Sequence, residues 1–361
     1  FVDILDAPVR TLRLHDLFRD ALLQRLHQHD PQLLAEMRRR AADTEPDPIR
    51  RITLLLDAGE LDAAAKLVFE HVPPMLSGAG LSTASHLIGR FPPTFAQSSP
   101  ELLFVGGNIA WIIWDFQTML SSFEHAEEAF ARRGDRQNEL WARVHRAVGL
   151  IAMGGLDESS ALVASMRELE LSVSTRIMVL HAESWLAIDN GRFYSVAPLL
   201  ERMLDLLVQV DRTDVWYSTT PANRMPGLLG MRQPLLRHAS LLLRLAGDEP
   251  TALRTLALLL QAWDMFWCGR FEDSRMLGER AREDAEWSGR TGAVHGHLLA
   301  LIALREAALG NTAVAMDTAE TRARDLGPRY GEWGRWLFAL FISRTAAVCN
   351  DATILRDTLR R

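Results

Sequence analysis

Ten tryptophans stand against three tyrosines in this chain, and their spacing gives them a direction. Trp111 and Trp114 are three residues apart, Trp263 and Trp267 four, and Trp333 and Trp336 three. On an α-helix the members of each pair share one face. Trp185 is similarly placed in its own helical stretch. Aromatic faces inside a concave groove suit stacking on a sugar, an aromatic ring or an acyl chain, with polar neighbours orienting the ligand's polar groups. Helical phase puts Asn108, Arg143, Arg146, His181, Arg305 and Arg335 on the same helices. Trp216, Tyr217, Arg224, Arg232 and His238 come from an irregular stretch and its successor, and can approach the same groove. The competing role for each tryptophan is packing, because Trp near the start of a repeat's first helix also fills the core.

The other reactive residue types form no catalytic pattern. His295 and His297 lie two apart in a helical stretch, where side chains diverge by about 200°. Two zinc ligands on a helix prefer a spacing of four. His15, His27 and His29 read as helix-surface positions. No Gly-x-Ser-x-Gly elbow occurs, and neither Cys268 nor Cys349 has a histidine at a recognisable catalytic spacing. Both cysteines fall inside helical patterns and read as buried, reduced thiols of a cytoplasmic protein. A phosphate loop needs Gly-x-x-x-x-Gly-Lys-Ser/Thr, yet the sole lysine, Lys66, sits between Ala65 and Leu67. The expectation is a chain with no enzymatic activity, no metal and no cofactor of its own.

Charge narrows the partners. The net charge is −6, so there is no broad basic footprint for phosphate neutralisation. The cluster Arg38-Arg39-Arg40 with Arg50-Arg51 reads as a solvated helix end rather than a nucleic-acid contact. No apolar run reaches the 18 or so residues of a membrane span. The opening Phe1-Val2-Asp3, without Met or a signal region, reads as the start of a piece of a longer protein.

What must position these residues is set by a recurring turn. It reads Ala58-Gly59-Glu60-Leu61, Gly154-Gly155-Leu156, Asn190-Gly191-Arg192-Phe193, Cys268-Gly269-Arg270-Phe271 and Leu309-Gly310-Asn311-Thr312. A small residue usually follows: Ala64, Ser159, Ser274 or Ala315. Gly ends the first helix in a left-handed conformation, and the small residue lets the second helix pack closely. Gly154 to Gly191 spans 37 positions, Gly269 to Gly310 spans 41, and Gly191 to Gly269 spans 78, or two units of about 39. A further turn is expected near Asp115 to Thr118. The predicted fold is all-α: a tetratricopeptide-like, right-handed α-solenoid of antiparallel helix pairs over residues 46–361.

The predicted pairs are 101–115/117–133, 136–153/156–170, 174–189/192–209, 250–268/271–288, 290–309/312–326 and 331–348/350–361. Pro73-Pro74 and Pro92-Pro93 are expected at helix ends. Residues 211–234 show no helical period and read as an insertion that folds onto the concave surface or stays exposed. Residues 1–45 differ: Val9 to Leu14 alternates like a strand, and Asp16 to Gln28 is an amphipathic helix with Leu17, Phe18, Ala21, Leu22 and Leu26 on one face.

Leu12-Arg13-Leu14-His15-Asp16-Leu17-Phe18-Arg19-Asp20-Ala21-Leu22 resembles the strand and helix that end the winged-helix region in LuxR-type, ATP-dependent bacterial transcriptional activators of the MalT-like kind. Pro31 to Ala42 and then Ala58 to Leu67 follow in the order in which that family passes into its helical repeats. The resemblance implies that residues 1–45 are the tail of a winged-helix region. It also implies a cytoplasmic, effector-sensing and signal-transmitting repeat region without its flanking ATP-binding and DNA-binding modules. ATP would belong to the upstream module, and self-association would accompany activation. The alternative is a protein- or peptide-binding tetratricopeptide scaffold with no small-molecule ligand.

Overall fold

The computed structural model describes residues 2–5, 11–76, 80–113, 115–219, 227–288, 291–321, 343–353 and 355–356; Trp114, Arg224, Trp333 and Arg335 lie outside them. Among the described residues the fold is all-helical apart from one short antiparallel hairpin, β1 (Val2–Leu5) with β2 (Thr11–Leu14), in which Val2 pairs with Leu14 and Leu5 with Thr11. Helix α1 (Asp16–His29) follows and buries no residue. Then come α2 (Pro31–Thr44), α3 (Pro48–Ala58), α4 (Leu61–Leu76), α5 (Leu81–Gly89) and the short α6 (Pro93–Ala96). The long helices are α7 (Pro100–Ile112), α8 (Phe116–Arg132), α9 (Arg136–Met153), α10 (Leu156–Met166), α11 (Val173–Asp189) and α12 (Val196–Leu207). They continue after α13 (Thr213–Ser218) with α14 (Arg232–Ala246), α15 (Ala252–Trp267), α16 (Phe271–Trp287) and α17 (Thr291–Ala308), and residues 312–321 are again helical. No described helix is long and apolar enough to cross a membrane.

The five glycine turns anticipated from sequence all adopt the left-handed conformation, with φ between 69° and 86°. Their hydrogen bonds repeat. Gly154 N–H donates to Ile151 and the next N–H to Leu150; Gly269 and Arg270 do the same to Phe266 and Met265. This double closure satisfies carbonyls that a helix end otherwise leaves unpaired. The small residue five positions on has a measurable job. Ser159 Oγ donates to the Ala147 carbonyl at 2.9 Å and Ser274 Oγ to the Ala262 carbonyl at 2.7 Å, each acceptor lying seven residues before its glycine. Ala64 and Ala315, at the same offset, are fully buried. Two further copies of the closure occur at Gly134 and at Asn350, the sole described non-glycine residue at positive φ.

Helix starts are fixed by side-chain caps. Asp30, Asp47, Ser99, Asp115, Asp135, Ser172 and Thr251 each accept from the N–H three residues on. Asp115 marks the turn expected near 115–118, and α8 begins directly after it. Pro31, Pro48, Pro93 and Pro100 occupy first-turn positions, where a missing N–H costs nothing.

Two expectations are corrected. Pro73-Pro74 does not end its helix: α4 continues to Leu76, with Val72, Pro73 and Leu76 buried, so packing offsets the local disturbance. The stretch 211–234 is not uniformly irregular. It contains α13, whose six residues are too few to display a period, and the start of α14. Pro234 lies in the first turn of α14, where its ring is tolerated, and so masks a helix that runs on to Ala246.

Each helix packs mainly on its sequence neighbours: α3 on α4, α7 on α8, α8 on α9, α9 on α10 and α11, α14 on α15, and α15 on α16. One apolar core spans Ala42 to Val105 and a larger one Phe104 to Leu260, with Phe69 of α4 touching both. Departures from neighbour packing include α4, which packs on α7, and α13, which contacts α4 as well as α11 and α15. Thr213 Oγ1 donates to the Pro74 carbonyl at 3.3 Å, across 139 residues of chain.

Candidate functional site

Helices α7, α9 and α11, with α13 and α14, bring most of the predicted aromatic and histidine residues into one buried layer. Trp111 packs against Phe116 and Trp185, at centroid distances of 6.2 and 6.4 Å. His181 lies 5.3 Å from Trp185, and His238 lies 6.1 Å from Trp216. Trp216 is buried and its Nε1 donates to the Val210 carbonyl at 3.2 Å, while Tyr217 is half-buried against the same core. Packing is therefore the role these rings perform in this conformation.

The histidines are electrostatically unusual. His145 is pushed down to about 4, first by burial and also by the Arg212 charge, against opposition from its bond to the Trp141 carbonyl and from Asp214. Its Nδ1–H donates to that carbonyl at 2.9 Å. His181 and His238 are pushed down to about 3 by burial, and for His181 additionally by His238 and His145. Both rings of His181 and His238 lack any hydrogen-bond partner at either nitrogen. Neutral imidazole is the form that such surroundings select. Sequence reasoning did not single out His145; its position four residues from Trp141 on one helix face was the available signal.

The predicted polar residues of α7 and α9 are already engaged. Asn108 Nδ2 donates to the Phe104 carbonyl of its own helix at 3.3 Å. Arg143 pairs with Glu127 and Glu139, each at 2.7 Å, and Arg146 with Glu124 and Glu127 at 3.3 and 3.4 Å. The pairs with Glu124 and Glu127 tie α9 to α8. Arg212 pairs with Asp214 and stands 5.5 Å over the Trp141 ring.

Two open clefts lie further along. The first, about 380 Å³, is bounded by the turn at residues 227–230, the start of α14 and the end of α15. Leu235, Leu236 and Leu260 form its apolar floor, with Trp263, Asp264, Trp267 and Cys268 along one wall. Trp267 is 47% exposed, whereas Trp263 is buried and donates from Nε1 to His297 Nδ1 at 3.2 Å. Gly227, at φ +86°, lies against the Trp267 indole so closely that an added Cβ would come within 2.6 Å of it. Among the described residues the cleft's charge is one pair: Arg232 Nε donates to Asp264 Oδ1 at 2.7 Å and its Nη2 to Oδ2 at 3.4 Å. Asp264 was not anticipated, although it shares a helix face with Trp267 at a spacing of three.

The second cleft, about 330 Å³, lies between α16 and α17 over Phe266, Phe271 and Leu298. Arg275, Arg282 and Arg305 rim it, but each is paired with a glutamate of its own helix: Glu272, Glu279 with Glu286, and Glu306. Of these two clefts, the first joins predicted tryptophans to an opening of small-molecule size. No known protein family matches this chain, and no curated protein does.

Proposed function

We propose that this chain is a non-catalytic, signal-receiving helical-repeat region of a bacterial LuxR-type regulator, binding a small effector in the cleft between α14 and α15. The observation that carries the reading is that cleft: about 380 Å³, walled by Trp263 and Trp267, and adjoining the turn at residues 227–230 just before α14. A pocket of that volume suits a compact organic molecule. The finer architecture belongs to the same reading, a right-handed tetratricopeptide-like solenoid supported by the recurring glycine closure and the matched Ser159 and Ser274 bonds. α1 supports a neighbouring module: Leu17, Phe18, Leu22 and Leu23 are exposed along it, a face that a winged-helix body would bury.

Signalling follows from differential binding. An effector biases the parent protein only by favouring one conformation, by about 1.4 kcal/mol for each tenfold shift in population. α13 is the element suited to carry that bias, since it links the α15 side of the molecule to α4. The test is thermal shift of the wild type and Trp267→Ala against sugars, aromatic acids, acyl compounds and organic amines. Stabilisation of the wild type by one chemical class, lost in Trp267→Ala, is the expected result. No stabilisation by any class transfers the assignment to a peptide or protein partner held by the scaffold.

A further inference from the structure

The charge inventory of the α14–α15 cleft is asymmetric. Asp264 is its carboxylate and its side chain is only 8% exposed, whereas its partner Arg232 is 61% exposed. A carboxylate so far out of water requires a cation, but a long, solvated arginine arm is an exchangeable one. Beside it the Trp267 indole is half-exposed, and indole rings attract organic cations. Leu235, Leu236 and Leu260 supply an apolar floor for hydrocarbon. Among the described lining residues an anionic ligand would meet Asp264, whose cation Arg232 is already engaged in two hydrogen bonds.

We propose that this cleft takes a small organic cation, an alkyl- or arylammonium, whose charge replaces Arg232 at Asp264 and lies against the Trp267 indole. The assignment rests on the reading of the cleft as the effector site and adds its ligand class. It also supplies the coupling. Arg232 is the first residue of α14 and Asp264 lies in the last turn of α15, so exchange of the internal cation for an external one unties those two helix ends beside the 227–230 turn.

The experiment is titration calorimetry of the chain with benzyltrimethylammonium, choline, 3,3-dimethyl-1-butanol (the neutral isostere of choline) and benzoate. Benzyltrimethylammonium and choline are expected to bind, choline at least about tenfold more tightly than its neutral isostere. Asp264→Asn should abolish that preference. Arg232→Gln should strengthen cation binding, because the internal competitor is gone, and should give a larger thermal shift on cation addition than the wild type. A merely structural Arg232–Asp264 pair predicts that both substitutions weaken binding together. Equal binding of choline and its isostere, or tighter binding of benzoate, overturns the cation assignment while leaving the cleft as an effector site if Trp267→Ala removes that binding. No binding by any probe, together with no stabilisation across the broader compound classes, overturns both.

Discussion

At the scale of single residues, the buried histidines make the sharpest claims. His145, His181 and His238 are held neutral, at about 4, 3 and 3. In the unfolded chain each returns to an ordinary value near 6.5. Between those limits the unfolded state binds more protons than the folded one, so stability falls as pH drops below 6.5. Each imidazole contributes a loss of about 1 kcal/mol per pH unit in that window. Urea unfolding at pH 7 and pH 5.5 checks this, and the doubly substituted His181→Phe, His238→Phe chain should have a shallower slope; an unchanged slope contradicts it. The same substitutions should cost little at neutral pH, since they remove ring nitrogens that have no partner. The turn serines give a second test. Ser159→Ala and Ser274→Ala each delete one buried bond to a carbonyl and should cost about 1 kcal/mol, additively, in denaturant unfolding.

At the scale of elements, adjacent glycines of α7 should respond in opposite directions. Gly106 has nothing within 4 Å of an added Cβ, so Gly106→Ala should stabilise by about 0.5–1 kcal/mol. A Cβ on Gly107 would stand 2.7 Å from the Phe123 ring of α8, so Gly107→Ala should destabilise by about 1–3 kcal/mol. Melting temperatures of the two variants decide the matter. Much of the helical order was legible beforehand, because Gly59, Gly154, Gly191, Gly269 and Gly310 announce their left-handed turns directly. Short or disguised elements were not. α13 is under two turns long, α14 carries Pro234 near its start, and Asn350 performs a glycine's role with a side chain. The candidate site was half legible for a related reason. Helical phase placed Trp263 and Trp267 together, but whether a tryptophan fills the core or borders an opening depends on neighbours distant in sequence. Gly227 against Trp267 and Arg232 against Asp264 are such neighbours.

At the scale of the whole molecule, α13 makes the contact that spans the longest stretch of sequence among the described helix pairs. It contacts α4, α11 and α15, and its Thr213 bonds to the Pro74 carbonyl of α4. Trp216→Ala should cost about 3–5 kcal/mol and raise hydrogen exchange in both α4 and α15, rather than near residue 216 alone. Thr213→Val should raise exchange in α4 selectively. Such a bridge gives an event in the α14–α15 cleft a physical route to the first helices of the chain, where α1 exposes its apolar face. The central claim is that a small molecule occupies that cleft. Native mass spectrometry of the wild type and Trp267→Ala, each with benzyltrimethylammonium and with 3,3-dimethyl-1-butanol added, tests it most directly. The account predicts a one-to-one complex of the wild type with the cation, depleted in Trp267→Ala and weaker for the neutral compound. Spectra showing only the bare chain in every case, or equal occupancy in both proteins, would contradict it.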